Sequence, residues 1–295
     1  WNKRVFTTPY PPISYPSTDE SWTDVMFPGV SSFADNPLQV LSQLKPMIAF
    51  AKETLKAQQD NWCYFPIYFK ATGGVRELPL AKRVNLMNVI RDFLHDRTLN
   101  PFYFEDEFAR VISGEEEAVY AWAGVNFLMG GLLPPLEQQW SLSDSVQTNV
   151  KTYGTLDLGG ASTQIAFYVP NQEIMEGLFK LQIGGRKHWN LYTKSFLQFG
   201  HNSIRQRHLE DLTQTLLLAD SDAGMGVATS CFHSGYSEKF LNWESERVIE
   251  VHGPRSPSFN QMKECMASLK PLLQLDLDDF CTWVYDGECG IAGQY

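Results

Sequence analysis

Apolar residues recur along this chain with two different periods, and the switches between them predict its elements. Asp35-Asn36-Pro37 has the form of a helix start, a capping side chain followed by proline at the first helical position. Leu38, Leu41, Leu44, Ile48, Ala51 and Leu55 then follow at helical spacing and predict an amphipathic helix. The aromatic run from Cys63 to Lys70 predicts a short strand, with Pro66 marking an edge or an irregularity because proline cannot donate to a ladder. Ala71 to Arg76 is a small glycine-bearing turn leading into a second helix, whose buried face is predicted at Leu80, Val84, Met87, Ile90 and Leu94. Phe108 to Ile112 predicts a strand, and a Gly-Glu-Glu-Glu run then precedes a helical stretch from Ala118 to Met129. Tyr153 to Leu156 and Ile165 to Val169 are strand-like and flank a glycine pair as the arms of a hairpin; Leu178 to Ile183 predicts a third strand. Trp189 to Leu218 reads as mostly helical and the remainder as irregular. Strands alternating with helices predict an α/β fold. The first thirty residues, rich in Pro, Ser, Thr and Tyr, read as an extended connector.

Composition narrows the classes. A chain of 295 residues with 43% hydrophobic and 13% aromatic content is a well-packed globular protein, long enough for two lobes. A net charge of −10 and the lack of any basic run argue against a nucleic-acid surface. A polyanionic small substrate stays possible if a metal ion screens it. No apolar stretch reaches the roughly eighteen residues that a membrane helix needs. The chain opens at Trp1 without an initiator methionine, and is expected to be a piece of a longer product.

Five cysteines, Cys63, Cys231, Cys265, Cys281 and Cys289, form no C-x-x-C pair, which makes a structural zinc site an unfavoured reading. Four of them fall in the last quarter of the chain, as disulfides of an oxidising compartment would, with Cys63 left over. Five reduced, buried thiols are the other reading of the same residues. No N-x-S/T glycosylation signal accompanies them.

The most specific chemistry lies in Asp157-Leu158-Gly159-Gly160-Ala161-Ser162-Thr163-Gln164. A glycine pair at a hairpin tip lets backbone N–H groups approach a phosphate, and an acidic residue just before it suits a hydrated divalent cation. Ser162 and Gln164 alternate onto one side of the returning strand, so both can face one ligand. The earlier turn at residues 71–76 offers a second glycine-bearing strand end. Between the two, Glu115, Glu116 and Glu117 stand at a helix start, where negative charge suits the dipole and where one carboxylate can serve as a base for water. A plain Gly-Gly hairpin and a plain acidic helix start are the alternatives.

Together these segments resemble the apyrases, the nucleoside triphosphate diphosphohydrolases. The family's second, third and fourth conserved regions are similar to ATGGVR at 71–76, GEEEAVYAWAGVNF at 114–127 and DLGGASTQ at 157–164, in the family's order. PGVSSFADNP at 28–37, LYTKSFLQFG at 191–200, CFHSGY at 231–236 and CGIAGQY at 289–295 extend the resemblance over nearly the whole chain. The family carries glycine at Ala118 and alanine at Gly73. Its first region would precede Trp1 and its fifth would follow Tyr295, so the resemblance implies a fragment lacking both.

The resemblance implies an actin-like (ribonuclease-H-like) two-lobed α/β fold, with lobe I at residues 1–113, lobe II at 114–295 and a cleft between. It implies hydrolysis of nucleoside tri- and diphosphates with Ca²⁺ or Mg²⁺, in the secretory pathway or outside the cell. Glu117 falls on the catalytic base and Ser162 on the serine that orients the attacking water. Asp157 falls on the carboxylate that holds the metal through water. Thr72, Gly73, Gly159, Gly160, Ala161 and Gln164 fall on positions around the phosphates. The alternatives are another actin-fold phosphatase, acting on polyphosphate or guanosine tetraphosphate, and a nucleotide-binding relative without turnover.

Overall fold

The computed structural model describes residues 23–130, 132, 152–169, 177–183, 187–218 and 226–273. The chain divides into two compact units, Trp1–Leu197 and Gln198–Tyr295.

In the first unit, helix α1 (Leu41–Thr54) follows a 3-10 turn at Pro37–Val40, with Asn36 as its flanking residue. The helical spacing holds from Leu41 onward: Leu44 and Ile48 are buried, whereas Leu38 stands out in the turn. The predicted strand from Cys63 is corrected. Lys56–Tyr64 is 3-10, and pairing begins with an isolated Pro66–Tyr103 bridge before strand β1 (Phe69–Ala71). Local i→i+3 hydrogen bonds hold the aromatic segment here, and Pro66 has no N–H with which to prolong a ladder.

Helix α2 (Gly73–Arg76) is a single turn, helix α3 (Leu80–His95) crosses over, and strand β2 (Ala109–Val111) pairs parallel to β1 with Phe69 opposite Ala109. On α3 the buried face is Leu86, Met87, Ile90, Phe93 and Leu94; Leu80 and Val84, predicted inside, lie in solvent on the first turns. This face packs with Val40, Leu44, Ile48, Ala71, Val75, Phe102, Phe104 and Ala109 into one core.

Helix α4 (Gly114–Leu128) starts four residues earlier than its apolar periodicity suggests, because Ser113 caps it by accepting from the Glu116 N–H at 3.1 Å. It lies on a four-stranded antiparallel sheet of order β3-β4-β6-β5, made of β3 (Thr155–Leu158), β4 (Ser162–Tyr168), β5 (Leu178–Ile183) and β6 (Lys187–Leu197). Ala118, Val119 and Trp122 of the helix meet Ala166, Trp189 and Leu191 of the sheet; the Trp122 and Trp189 rings lie 5.4 Å apart. Packing is thus the visible role of Trp122. The predicted hairpin and third strand are present. The helical reading of Trp189–Leu197 is corrected to a strand, paired with β4 on one side and β5 on the other; Trp189, Leu191 and Thr193 are buried on one face and Tyr192 on the other, as a central strand between covered faces allows.

The second unit holds helix α5 (His201–Leu218) and helix α6 (Gln261–Leu269). Its sheet has the order β7-β9-β8, from β7 (Val227–Ala228), β8 (Ser237–Asn242) and β9 (Arg247–His252). The expectation of an irregular region is corrected there. Leu209, Phe232, Phe240 and Val251 form its core, and Cys231 is bonded to Cys265. Cys63 is a free, exposed thiol, as expected of the leftover cysteine. Residues 1–22 of the N-terminal connector, Cys281, Cys289 and the segment 289–295 lie outside the described residues.

Candidate active site

Strand register assembles the site. Asp157 on β3, Gln164 on β4 and Ser195 on β6 are direct cross-strand partners, so one polar row crosses three strands. Ser162 lies two residues before Gln164 and shares its face. Both are buried, with relative exposures of 3% and 1%, while Asp157 is half-buried. The face they occupy is the one that α4 covers.

The two glycine-bearing turns meet. A Cβ added to Gly73 would stand 2.9 Å from Ser162 Oγ and 3.0 Å from the Ala161 Cβ, so glycine allows a closer approach here than alanine would. Thr72, just before it, is exposed. At the hairpin, the Gly159 N–H donates to the Ser162 carbonyl at 3.0 Å and is therefore engaged within the turn. Gly160 and Ala161 form its half-buried tip. Gly114 is the other close approach: a Cβ there would fall 1.9 Å from Ser195 Oγ. The absence of that carbon lets the first turn of α4 rest directly on β6.

This docking separates the three glutamates. Glu116 turns toward β2 and Tyr120, where Arg110 Nη1 donates to its Oε2 at 2.7 Å. The hydrogen-bonded Arg110 guanidinium holds the Glu116 carboxyl below the usual carboxylate range, and Glu116 in turn raises the Tyr120 hydroxyl above its ordinary value. Glu117 points instead toward the polar row. Arg76 Nη2 donates to Glu117 Oε2 at 2.9 Å and to Ser162 Oγ at 2.9 Å, and Arg76 Nη1 donates to the Ile112 carbonyl at 3.1 Å. The side chains of Arg76 and Glu117 are 12% and 19% exposed.

Gln164 completes the cluster. Its Nε2 donates to Ser162 Oγ at 2.5 Å and to Ser195 Oγ at 3.1 Å, and lies 3.5 Å from Glu117 Oε2. Two nitrogen donors therefore fill both lone pairs of Ser162 Oγ, which leaves its O–H as the only group it can offer to a ligand. Glu117 has both of its contacts on Oε2, and Oε1 has no hydrogen-bond partner among the described residues. One carboxylate oxygen is anchored and the other is open to accept a proton. The Gln164 Oε1 acceptor is buried without a partner among the described residues.

Sequence reasoning named Glu117, Ser162, Gln164 and Gly73, which the structure brings together, and Asp157, which it sets beside Gln164. It passed over Arg76 and Ser195. Arg76 was visible as a basic residue closing the 71–76 turn; Ser195 carried no signal, since its place depends on strand register.

A divalent cation fits these donors in one manner. Among the described residues no group of three or more His, Cys, Asp or Glu could enclose an ion. The half-buried Asp157 carboxylate and the unpartnered Gln164 oxygen suit a cation that keeps most of its water and shares a polyphosphate ligand.

Comparison with known proteins assigns the chain to a family. The model of the GDA1/CD39 (nucleoside phosphatase) family matches residues 11–291. Ectonucleoside triphosphate diphosphohydrolase 4 of Mus musculus is 33% identical over 210 residues, covering 63% of this chain and 33% of that protein. The Golgi apyrase of Saccharomyces cerevisiae is 32% identical over 274 residues, covering 86% of this chain and 40% of the apyrase. A crystal structure of nucleoside triphosphate hydrolases from Neospora caninum aligns with a TM-score of 0.50 at 21% identity, over 71% of this chain and 38% of that one. That likeness carries the fold, the actin-like α/β class that the resemblance implies. The chain spans 33% to 40% of the length of these two relatives. Among the described residues no helix is long and apolar enough to cross a membrane.

Proposed function

Because this chain belongs to the GDA1/CD39 (nucleoside phosphatase) family, we propose that the protein of which it forms part hydrolyses nucleoside tri- and diphosphates in a reaction dependent on Ca²⁺ or Mg²⁺. The observation that carries the reading is the convergence of Glu117 and Ser162 on Arg76 Nη2, with Gln164 Nε2 donating to the same Ser162 Oγ, beside the glycine turns. The names of the relatives, triphosphate diphosphohydrolase and apyrase, support the same substrate class.

In this reading Glu117 Oε1 takes a proton from the water that attacks the terminal phosphorus, while Arg76 keeps Oε2 in place. The Ser162 hydroxyl, a donor by the hydrogen bonds it accepts, orients that water. Gly73, Gly160 and Ala161 line the approach of the phosphates together with Thr72 and Gly159, and Asp157 and Gln164 would hold the cation through its waters. When bound, the cation offsets phosphate charge and charge developing on the leaving group. Attack is in line, with no covalent bond to the protein. The reading extends to a lobe division near Gly114 and, from the Cys231–Cys265 disulfide and the Golgi and ecto-enzyme names of the relatives, to the secretory pathway or the cell exterior.

The test is phosphate release by the full-length protein from ATP, ADP, GDP and UDP, with Ca²⁺ or Mg²⁺ and after chelation. Metal-dependent turnover is expected, and Glu117→Gln should lower kcat by about 10²–10⁴-fold with little change in nucleotide affinity. Turnover surviving that substitution removes Glu117 from the base role. Release from polyphosphate alone would overturn the substrate class.

A further inference from the structure

The polar row has a third member to which the reaction above assigns no part. Ser195 lies opposite Gln164 in the β4–β6 register and accepts from its Nε2 at 3.1 Å, and this is the one hydrogen bond of the Ser195 side chain among the described residues. Its other neighbour is Gly114, whose Cα approaches so closely that no Cβ fits between them. One serine therefore touches both the strand that carries Ser162 and Gln164 and the helix turn that carries Glu117.

The Gln164 carboxamide needs such a support. It is 1% exposed, so water does not compete for it from bulk solvent. Its Nε2 has two hydrogens, and the two shorter contacts, to Ser162 and Ser195, use them. Glu117 Oε2 at 3.5 Å selects the orientation with nitrogen forward, because the carboxamide oxygen placed there would face a carboxylate. Ser195 supplies the second fixed point that holds the carboxamide plane. Without it the group pivots on Ser162 alone, and turning Oε1 toward Ser162 would draw the hydroxyl proton away from a ligand.

We propose that Ser195 is a positioning residue of the hydrolytic site, which anchors the Gln164 carboxamide from β6 and thereby keeps the Ser162 hydroxyl a donor toward the reacting group. This rests on the hydrolase reading for its kinetic consequence, and on the geometry alone for the anchoring.

In the full-length protein, Ser195→Ala should lower kcat for ATP by about tenfold, the scale of one lost hydrogen bond on a reacting group, with KM unchanged. Since Ser195 acts through Gln164, the same substitution in a Gln164→Ala background should cost no further activity. Unchanged kcat, or a full tenfold loss in the Gln164→Ala background, would each overturn the proposal. The side-chain amide resonances of Gln164, assigned in ¹⁵N-glutamine-labelled protein by their absence from Gln164→Ala, give a readout without turnover. They should shift and exchange faster with solvent in Ser195→Ala, and unmoved resonances would refute the anchoring. Resonances that move in Ser195→Ala, together with a wild-type protein that hydrolyses no nucleotide, would uphold the anchoring and overturn the hydrolase reading with its kinetic consequence.

Discussion

Arg76→Met removes the cation at the centre of the site and keeps most of the side-chain volume. Three hydrogen bonds disappear: one to the Glu117 carboxylate, one to Ser162 Oγ and one to the Ile112 carbonyl. Breaking a fully buried ion pair from one side costs about 3–5 kcal/mol, most of it from the charge left behind. Glu117 retains 19% side-chain exposure, so water compensates part of that charge, and a loss of about 2–4 kcal/mol is expected. At this chain size the thermal midpoint should fall by about 5–15 °C, and the urea midpoint should fall in parallel. Because the cost is chiefly an orphaned carboxylate, Glu117→Gln introduced into Arg76→Met should restore about 1–2 kcal/mol, whereas in the wild type it should destabilise. Equal effects of Glu117→Gln in the two backgrounds, or an Arg76→Met protein that melts with the wild type, would refute the argument. Screening offers a further check: a pair this enclosed should keep its coupling at about 0.5 M salt, where exposed pairs lose theirs.

Two further expectations concern the second unit. His208 is buried against Thr229, with Nε2 and Oγ1 2.9 Å apart, and burial pushes its imidazole below the ordinary value, opposed in part by Asp211. The unfolded chain therefore takes up a proton before the folded one does, so stability should fall as pH drops from about 7 through the normal histidine range near 6.5, and His208→Gln should flatten that slope in denaturant titrations at pH 7 and 5. The Cys231–Cys265 bond closes a separation of 34 residues; replacing both cysteines with serine should cost about 3–4 kcal/mol, measured by urea unfolding under non-reducing conditions, and an unaltered midpoint would count against the bond.

Particular residues show how far sequence patterns reach. The Asp157–Gln164 octet announced a hairpin with Ser162 and Gln164 on one face, because glycine at a turn and alternation along a strand are local properties. Helix α3 was legible from its apolar spacing, although Leu80 and Val84 proved solvent-facing, since the first turns of a helix often overhang the core that the later turns fill. The stretch from Trp189 to Leu197 misled. Its apolar density is equally compatible with a buried helix face, and only pairing with β4 on one side and β5 on the other makes it a central strand. The β7–β9 sheet was missed for a related reason. Its strands are short and mostly polar outside Phe240, Ile249 and Val251, so the alternation is too brief to stand out.

What the sequence determined by itself was the set of chemical parts and their order: two glycine turns, an acidic helix start, a serine and a glutamine two residues apart, and cysteines gathered toward one end. These follow from residue types at short spacings, where covalent geometry already dictates who can neighbour whom. Tertiary structure decided which parts act together. Which glutamate of three faces the row, that Arg76 ties it to Ser162, and that Ser195 stands behind Gln164 all depend on strand register and on a helix resting on a strand through Gly114. Such contacts join residues 31 to 86 positions apart, and over those distances only the burial of a shared core, not local preference, brings side chains within a hydrogen bond of one another.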